Sequence, residues 1–186
     1  MPKPRRRRAS VPAERRSAAE VSRELYLVRH AIAAERGPEW LDDGRRSLTD
    51  RGVTRFRKAV AGLAALGLVV DEVLTSPLVR ARQTADLLAA DLPDHPPVKV
   101  LEALAPGHTP ERVVQEVARV MRGRRVALVG HEPCVGELAA FLIGTRRATP
   151  FKKGGVCRID VEFTGDHPAG TLVWFATPGM LRRLAE

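Results

Sequence analysis

An arginine and a histidine stand side by side at the end of a short apolar run, Glu24-Leu-Tyr-Leu-Val-Arg29-His30-Ala31. A guanidinium is a planar fork of donors suited to oxyanions, and the imidazole beside it is a potential nucleophile. A second arginine follows in Val73-Leu-Thr-Ser76-Pro77-Leu-Val-Arg80-Ala81-Arg82-Gln83-Thr84-Ala85. A third apolar run, Val126-Ala-Leu-Val-Gly130-His131-Glu132-Pro133, ends in another imidazole. Two arginines and two histidines, each following an apolar run, suit a dianionic phosphoryl group. The chemistry open to them is binding of that group, with an imidazole as potential nucleophile toward it. Arg29 and Arg80 would hold the equatorial oxygens through paired N–H donors, and His131, if protonated, would add a third cation. Cationic neighbours would keep His30 unprotonated and available for attack. Arg82, His95, His108 and His167 are read as surface residues.

The elements that must position these groups are strands and helices in alternation. Strand-like runs lie near 24–29, 71–75, 98–102, 125–130, 156–163 and 171–176. Helical runs lie near 50–66, 77–91, 110–122 and 133–143, with a short one at the C-terminus. Ser76 as N-cap and Pro77 at the first helical position would put Arg80 one turn into its helix. Its side chain would then lean back toward the helix N-terminus. Thr109 and Pro110 open another helix, with Val113, Val114, Val117, Val120 and Met121 on one face. The turn Thr164-Gly-Asp-His-Pro168 predicts an edge hairpin. Together these give an α/β fold: a three-layer sandwich with a mainly parallel central sheet, helices on both faces and that hairpin near the C-terminus. Ligands of such sheets bind beyond the carboxyl ends of the strands. The polar stretch 31–47, with Arg36, Trp40, Asp42, Asp43, Arg45 and Arg46, is read as a surface loop near the pocket mouth.

A length of 186 residues with 44% hydrophobic content fits one domain, over 24–186, with a real core. The net charge is +9, and residues 1–24 carry eight Lys or Arg against three Glu. Arg5 to Arg8, with Pro2, Pro4 and Pro12, cannot build a core, so 1–23 is read as a disordered basic tail. An arm for an acidic partner or nucleic acid is the alternative. No aromatic interleaving supports base stacking, so nucleic acid is not expected. No apolar run is long enough to cross a membrane, and no signal peptide is visible. Two cysteines, Cys134 and Cys157, make no disulfide framework, which suits a reducing cytoplasm. Cys134 is read as a small buried helix residue. A metal site from His30, His131 and Glu102 is set aside, because two arginines oppose a further cation. No cofactor is expected.

These motifs, in this order, resemble the histidine phosphatase superfamily, which includes phosphoglycerate mutases and acid phosphatases. The resemblance rests on the Arg29-His30 pair, the Ser76-Pro-x-x-Arg80-Ala-x-Gln-Thr-Ala segment and Gly130-His131. Ser47-Leu-Thr49-x-x-Gly52 also matches. It runs from about Glu24 to about Leu184. The short spacing is most similar to compact SixA-type phosphohistidine phosphatases. This resemblance implies a metal-independent phosphatase with His30 as nucleophile and Arg29, Arg80 and His131 on the phosphate. It implies a phosphorylated protein of the histidine-phosphotransfer type as substrate. Ala31 stands where the family usually has Gly, and Ile32 where many members have a polar residue. Glu102 is the best positional match to the acid of larger members; otherwise it is a charged residue at a strand edge. An alkoxide leaves badly without a proton, whereas the nitrogen of a phosphoramidate is easily protonated. The unclear status of Glu102 therefore favours phosphohistidine. The alternatives are a phosphatase for small esters such as sugar or glycerate phosphates, and a non-catalytic phosphate-binding module. A binder needs no nucleophile, and a mutase needs a cap this chain is too short to carry.

Overall fold

The computed structural model describes residues 22–163 and 168–186. The basic tail lies almost wholly outside the described residues, as does most of the 164–168 turn with His167. The elements are β1 (Arg23–Arg29), α1 (Asp50–Ala65), β2 (Glu72–Thr75), α2 (Val79–Asp91), β3 (Val98–Val100), α3 (Pro110–Val120), β4 (Arg125–Gly130), α4 (Cys134–Leu142), β5 (Val156–Glu162), β6 (Ala169–Ala176) and α5 (Pro178–Arg183). The strands form one sheet in the order β3-β2-β4-β1-β5-β6. β3, β2, β4 and β1 pair in parallel. β5 is antiparallel to β1, and β6 to β5, which makes the expected edge hairpin.

Alternation along the strands divides the core in two. Leu25, Leu27, Leu74, Val126 and Leu128 pack on one face with α3 and α4 residues such as Val113, Val117 and Leu138. Tyr26, Val28, Val73, Ala127 and Val129 pack on the other with Phe56, Leu63, Ala81 and Leu88 of α1 and α2. Side chains of a strand point alternately to its two faces, so near-continuous apolar runs are what a sheet covered on both sides requires.

Local details differ from expectation at α2, after β3 and at Cys134. α2 begins at Val79, and its N-cap is Leu78. Ser76 and Pro77 form the turn before it, where Ser76 Oγ accepts from Leu78 N at 3.3 Å. Arg80 is therefore the second residue of the helix. β3 ends at Val100, and Glu102 opens a 3₁₀ turn, Glu102–Leu104. Cys134, at the first turn of α4, is only half-buried. α3 matches its signals: Thr109 Oγ1 caps Arg112 N at 3.4 Å and Pro110 opens the helix.

Candidate active site

The carboxyl ends of β1, β4 and β2 lie in register. Arg29 is paired with Gly130, and Thr75 with Val129. The next residue in each chain continues the ladder: His30 N donates to Gly130 O at 2.9 Å and Ser76 N to Val129 O at 3.0 Å. Parallel pairing thus delivers His30, His131 and Ser76 to one edge. The two imidazoles lie 5.1 Å apart, centre to centre. Arg80 reaches the same edge from the first turn of α2, and its charge is felt at both histidines. The structure therefore brings together His30, Arg29, Arg80 and His131.

The ring of His30 has a defined tautomer. Its Nδ1 lies 2.7 Å from the carbonyl oxygen of Ala31. A carbonyl only accepts, so Nδ1 carries the proton and Nε2 presents its lone pair. Burial pushes the His30 pKa down to about 4, against the Ala31 hydrogen bond, which raises it; Arg80, Arg29 and Lys153 lower it further. His30 is neutral at pH 7, as the arginine neighbours predict.

At His131 the condition for a third cation is not met. Burial, with His30, Arg80 and Arg29, pushes it down to about 3. It is a neutral donor and not a third cation. Its Nε2 lies 2.9 Å from Ser76 Oγ. With that hydroxyl donating to Nε2, Nδ1 carries the ring proton.

Among the described residues, three buried side-chain nitrogens have no hydrogen-bond partner: Arg29 Nε, Arg80 Nε and His131 Nδ1. Buried polar groups are ordinarily satisfied, and each exception asks for an explanation. All three exceptions fall on the residues predicted to hold a phosphoryl group. Arg29 Nη1, both Nη atoms of Arg80 and His131 Nε2 are tied to the protein. Arg29 Nη1 donates to Phe151 O at 2.5 Å. Arg80 Nη1 donates to Asp43 O at 2.8 Å, and Nη2 to Asp43 Oδ2 at 3.1 Å.

Sequence reasoning missed the residues that aim these arginines. Asp43, in a 3₁₀ turn of the 31–47 loop, takes Arg80, Arg36 and Arg46 on one carboxylate. Burial would raise its pKa, but the Arg46 hydrogen bond and the three positive charges hold it below the ordinary value. The loop is thus part of the site and not only its border. Buried Arg46 fixes it by donating to Ala34 O at 2.5 Å. Acidic residues among several arginines were the available signal, but spacing alone did not select Asp43. Glu132 sits beside Arg29 and accepts from Phe151 N at 3.0 Å; burial raises its pKa. It was visible in the motif, directly after His131.

Two small residues let the strand end approach its surroundings. Ala31 N donates to Thr84 Oγ1 at 3.0 Å, which ties β1's end to α2. A Cβ on Gly52 would sit 2.0 Å from the carbonyl oxygen of Ile32, so only glycine fits. Glu102 is exposed at the edge beyond β3, where Leu101 N donates to Thr75 O at 2.9 Å. Its carboxylate forms no hydrogen bond or ion pair with the four grouped residues.

The model of the histidine phosphatase superfamily (branch 1) matches residues 25–106. An uncharacterized protein of Picosynechococcus sp. is 41% identical over 138 residues, covering 72% of this chain and 82% of that one. Among solved structures, the protein histidine phosphatase SixA complexed with tungstate has a similar fold. It matches with a TM-score of 0.72 and 24% identity, covering 84% of this chain and 97% of its own. A mycobacterial glucosyl-3-phosphoglycerate phosphatase matches with a TM-score of 0.61 and 18% identity, over 83% of this chain and 99% of its own.

Proposed function

Because this chain belongs to the histidine phosphatase superfamily, a family of phosphatases, we propose that it removes the phosphoryl group from phosphohistidine on a protein. The observation that carries this reading is the set of three unpartnered nitrogens on Arg29, Arg80 and His131. They lie around a neutral imidazole whose Nε2 lone pair is available. A tetrahedral oxyanion carries enough acceptor oxygens for all three. Tungstate, bound by the SixA structure, is such an oxyanion.

In the first step His30 Nε2 attacks phosphorus in line with the leaving group. The bond from phosphorus to the substrate's imidazole nitrogen breaks, and its electron pair stays on that nitrogen. A proton from solvent neutralises it. Arg29, Arg80 and His131 donate to the equatorial oxygens throughout, as preorganised charge and dipole. Water then attacks the phosphorylated His30, releasing phosphate and returning the lone pair to Nε2. Nδ1–H keeps its bond to Ala31 O in both steps and supports the positive ring of the intermediate.

Hydrolysis of a small ester is the second reading. Exposed Glu102 at the same edge is its candidate acid, and the glucosyl-3-phosphoglycerate phosphatase is its structural parallel. The deciding experiment compares a phosphohistidine protein with a panel of sugar and glycerate phosphates, using wild type and His30→Ala. Preference for phosphohistidine, lost in the variant, supports the first reading. Preference for an ester, with a clear loss in Glu102→Gln, supports the second. The proposed domain is 24–186, with 1–23 as a dispensable leader; a large activity loss on deleting 1–22 would reject the latter.

A further inference from the structure

A cavity of about 210 Å³ opens beside the phosphate site and includes none of the four grouped residues. Its walls come from the end of β1 at Ala31 and Ile32, the first turns of α1, the Lys152–Gly154 segment and α5. β6 runs the same way as β1, so its end and α5 meet the same edge of the sheet as His30.

Four cations line it: Arg55, Lys152, Lys153 and Arg182. No acidic residue lines it. Among the described residues, none of the four forms an ion pair or donates a side-chain hydrogen bond. This is unusual in a chain where Asp43 alone gathers three arginines. Arg55 and Arg182 are close enough that each opposes the other's charge. Unpaired cations converge at such a cost where an anion is to be received. Lys153 links the two places, since it lines the cavity and its charge reaches His30.

We propose that this cavity is a second anion site, which takes an acidic side chain of the protein that carries the phosphohistidine. The inference rests on the phosphohistidine reading given above. A protein suits the observations better than a second phosphate on a small substrate. The loop that supplies Lys152 and Lys153 also carries exposed Arg146 and Arg147, with no acid from 144 to 155. At roughly 30 Å³ per water, the cavity holds about seven waters, which is room for a carboxylate and part of its stem.

The test uses two synthetic phosphohistidine peptides, one flanked by three aspartates and one by three asparagines. Wild type is expected to favour the acidic peptide by about tenfold in kcat/KM, through KM. Several exposed ion pairs formed together give an effect of that order. The ratio should fall toward one in Arg55→Gln/Lys152→Gln. It should also fall in wild type between low and high salt, a measurement that needs no variant. Binding of the unphosphorylated acidic peptide, followed by anisotropy, should weaken in the same variant. Equal kcat/KM for both peptides, with equal binding, would overturn the proposal. If neither peptide is hydrolysed but the acidic one still binds through Arg55 and Lys152, the phosphohistidine reading has failed and the anion site stands.

Discussion

The two ends of the sheet carry buried charge in opposite conditions. At the amino end Glu72 is 2% exposed, yet its carboxylate accepts from Lys99 Nζ at 2.8 Å, from Gly123 N at 2.8 Å and from Arg122 N. Burial alone would raise its pKa, but these donors hold it below the ordinary value. Its neighbour Asp71 accepts from Arg124 N, Arg125 N and the Arg125 guanidinium. At the carboxyl end Arg29, Arg80 and His131 each keep one buried nitrogen without a partner. Both ends use charged groups next to strand termini. Satisfied charge closes the sheet and ties β2 to β4. Unpartnered N–H donors at the other end mark where something else must bind.

Substitutions at the two ends should therefore fail in different ways. His30→Ala should abolish turnover while leaving phosphate binding partly intact; activity near wild type would end the proposed mechanism. Arg29→Ala and Arg80→Ala should each lower kcat/KM by about 10²–10³, as for loss of one preorganised donor. Unchanged rates in both would mean that the chemistry happens elsewhere. Glu72→Ala should instead cost about 3 kcal/mol of stability in a denaturant titration, because it strands two backbone N–H groups and a lysine. Its kcat/KM should stay near wild type, and a specific rate loss at full stability would erase the contrast between the ends. Asp43→Asn should have the smallest effect, about tenfold in kcat/KM, since it loosens Arg80 without removing it.

The histidines also separate the ends by pH. His30 and His131 lie at about 4 and about 3, below the ordinary 6.5. Between these values and 6.5 the unfolded chain binds more protons than the folded one. Stability should thus be full above about pH 6.5 and fall as the pH drops toward 4. The acid limb of kcat/KM should lie near pH 4 and not near 6.5. A limb at 6.5 would mean that His30 is solvated.

Much of this was legible in the sequence because strand ends are local. Arg29-His30 and Gly130-His131 each follow an apolar run, and parallel pairing alone aligns them. The helix signals at Thr109-Pro110 held, and so did the alternation that splits the core. What escaped depended on three-dimensional choices. Ser76-Pro77 carried every sign of a helix start, but the helix begins at Val79, and Ser76 Oγ instead meets Leu78 N and His131 Nε2. Asp43 looked like any acid in a polar loop, because its partner Arg80 is 37 residues away. The protonation state of His131 was not legible, because nearby cations and burial both act on it, and neither can be weighed from composition. Arg55 and Arg182 are brought to one cavity only by the packing of α5 on α1.

The three unpartnered nitrogens also bear on how firmly the chain holds its shape. Each is a donor taken out of water without compensation, so each subtracts from the folding free energy. An oxyanion that supplies the missing acceptors returns that free energy to the folded state. The thermal midpoint should then climb with the logarithm of phosphate or tungstate concentration once binding saturates. A cell rich in the ligand would hold a sturdier protein than one without it, and the dose response would read affinity with no turnover at all.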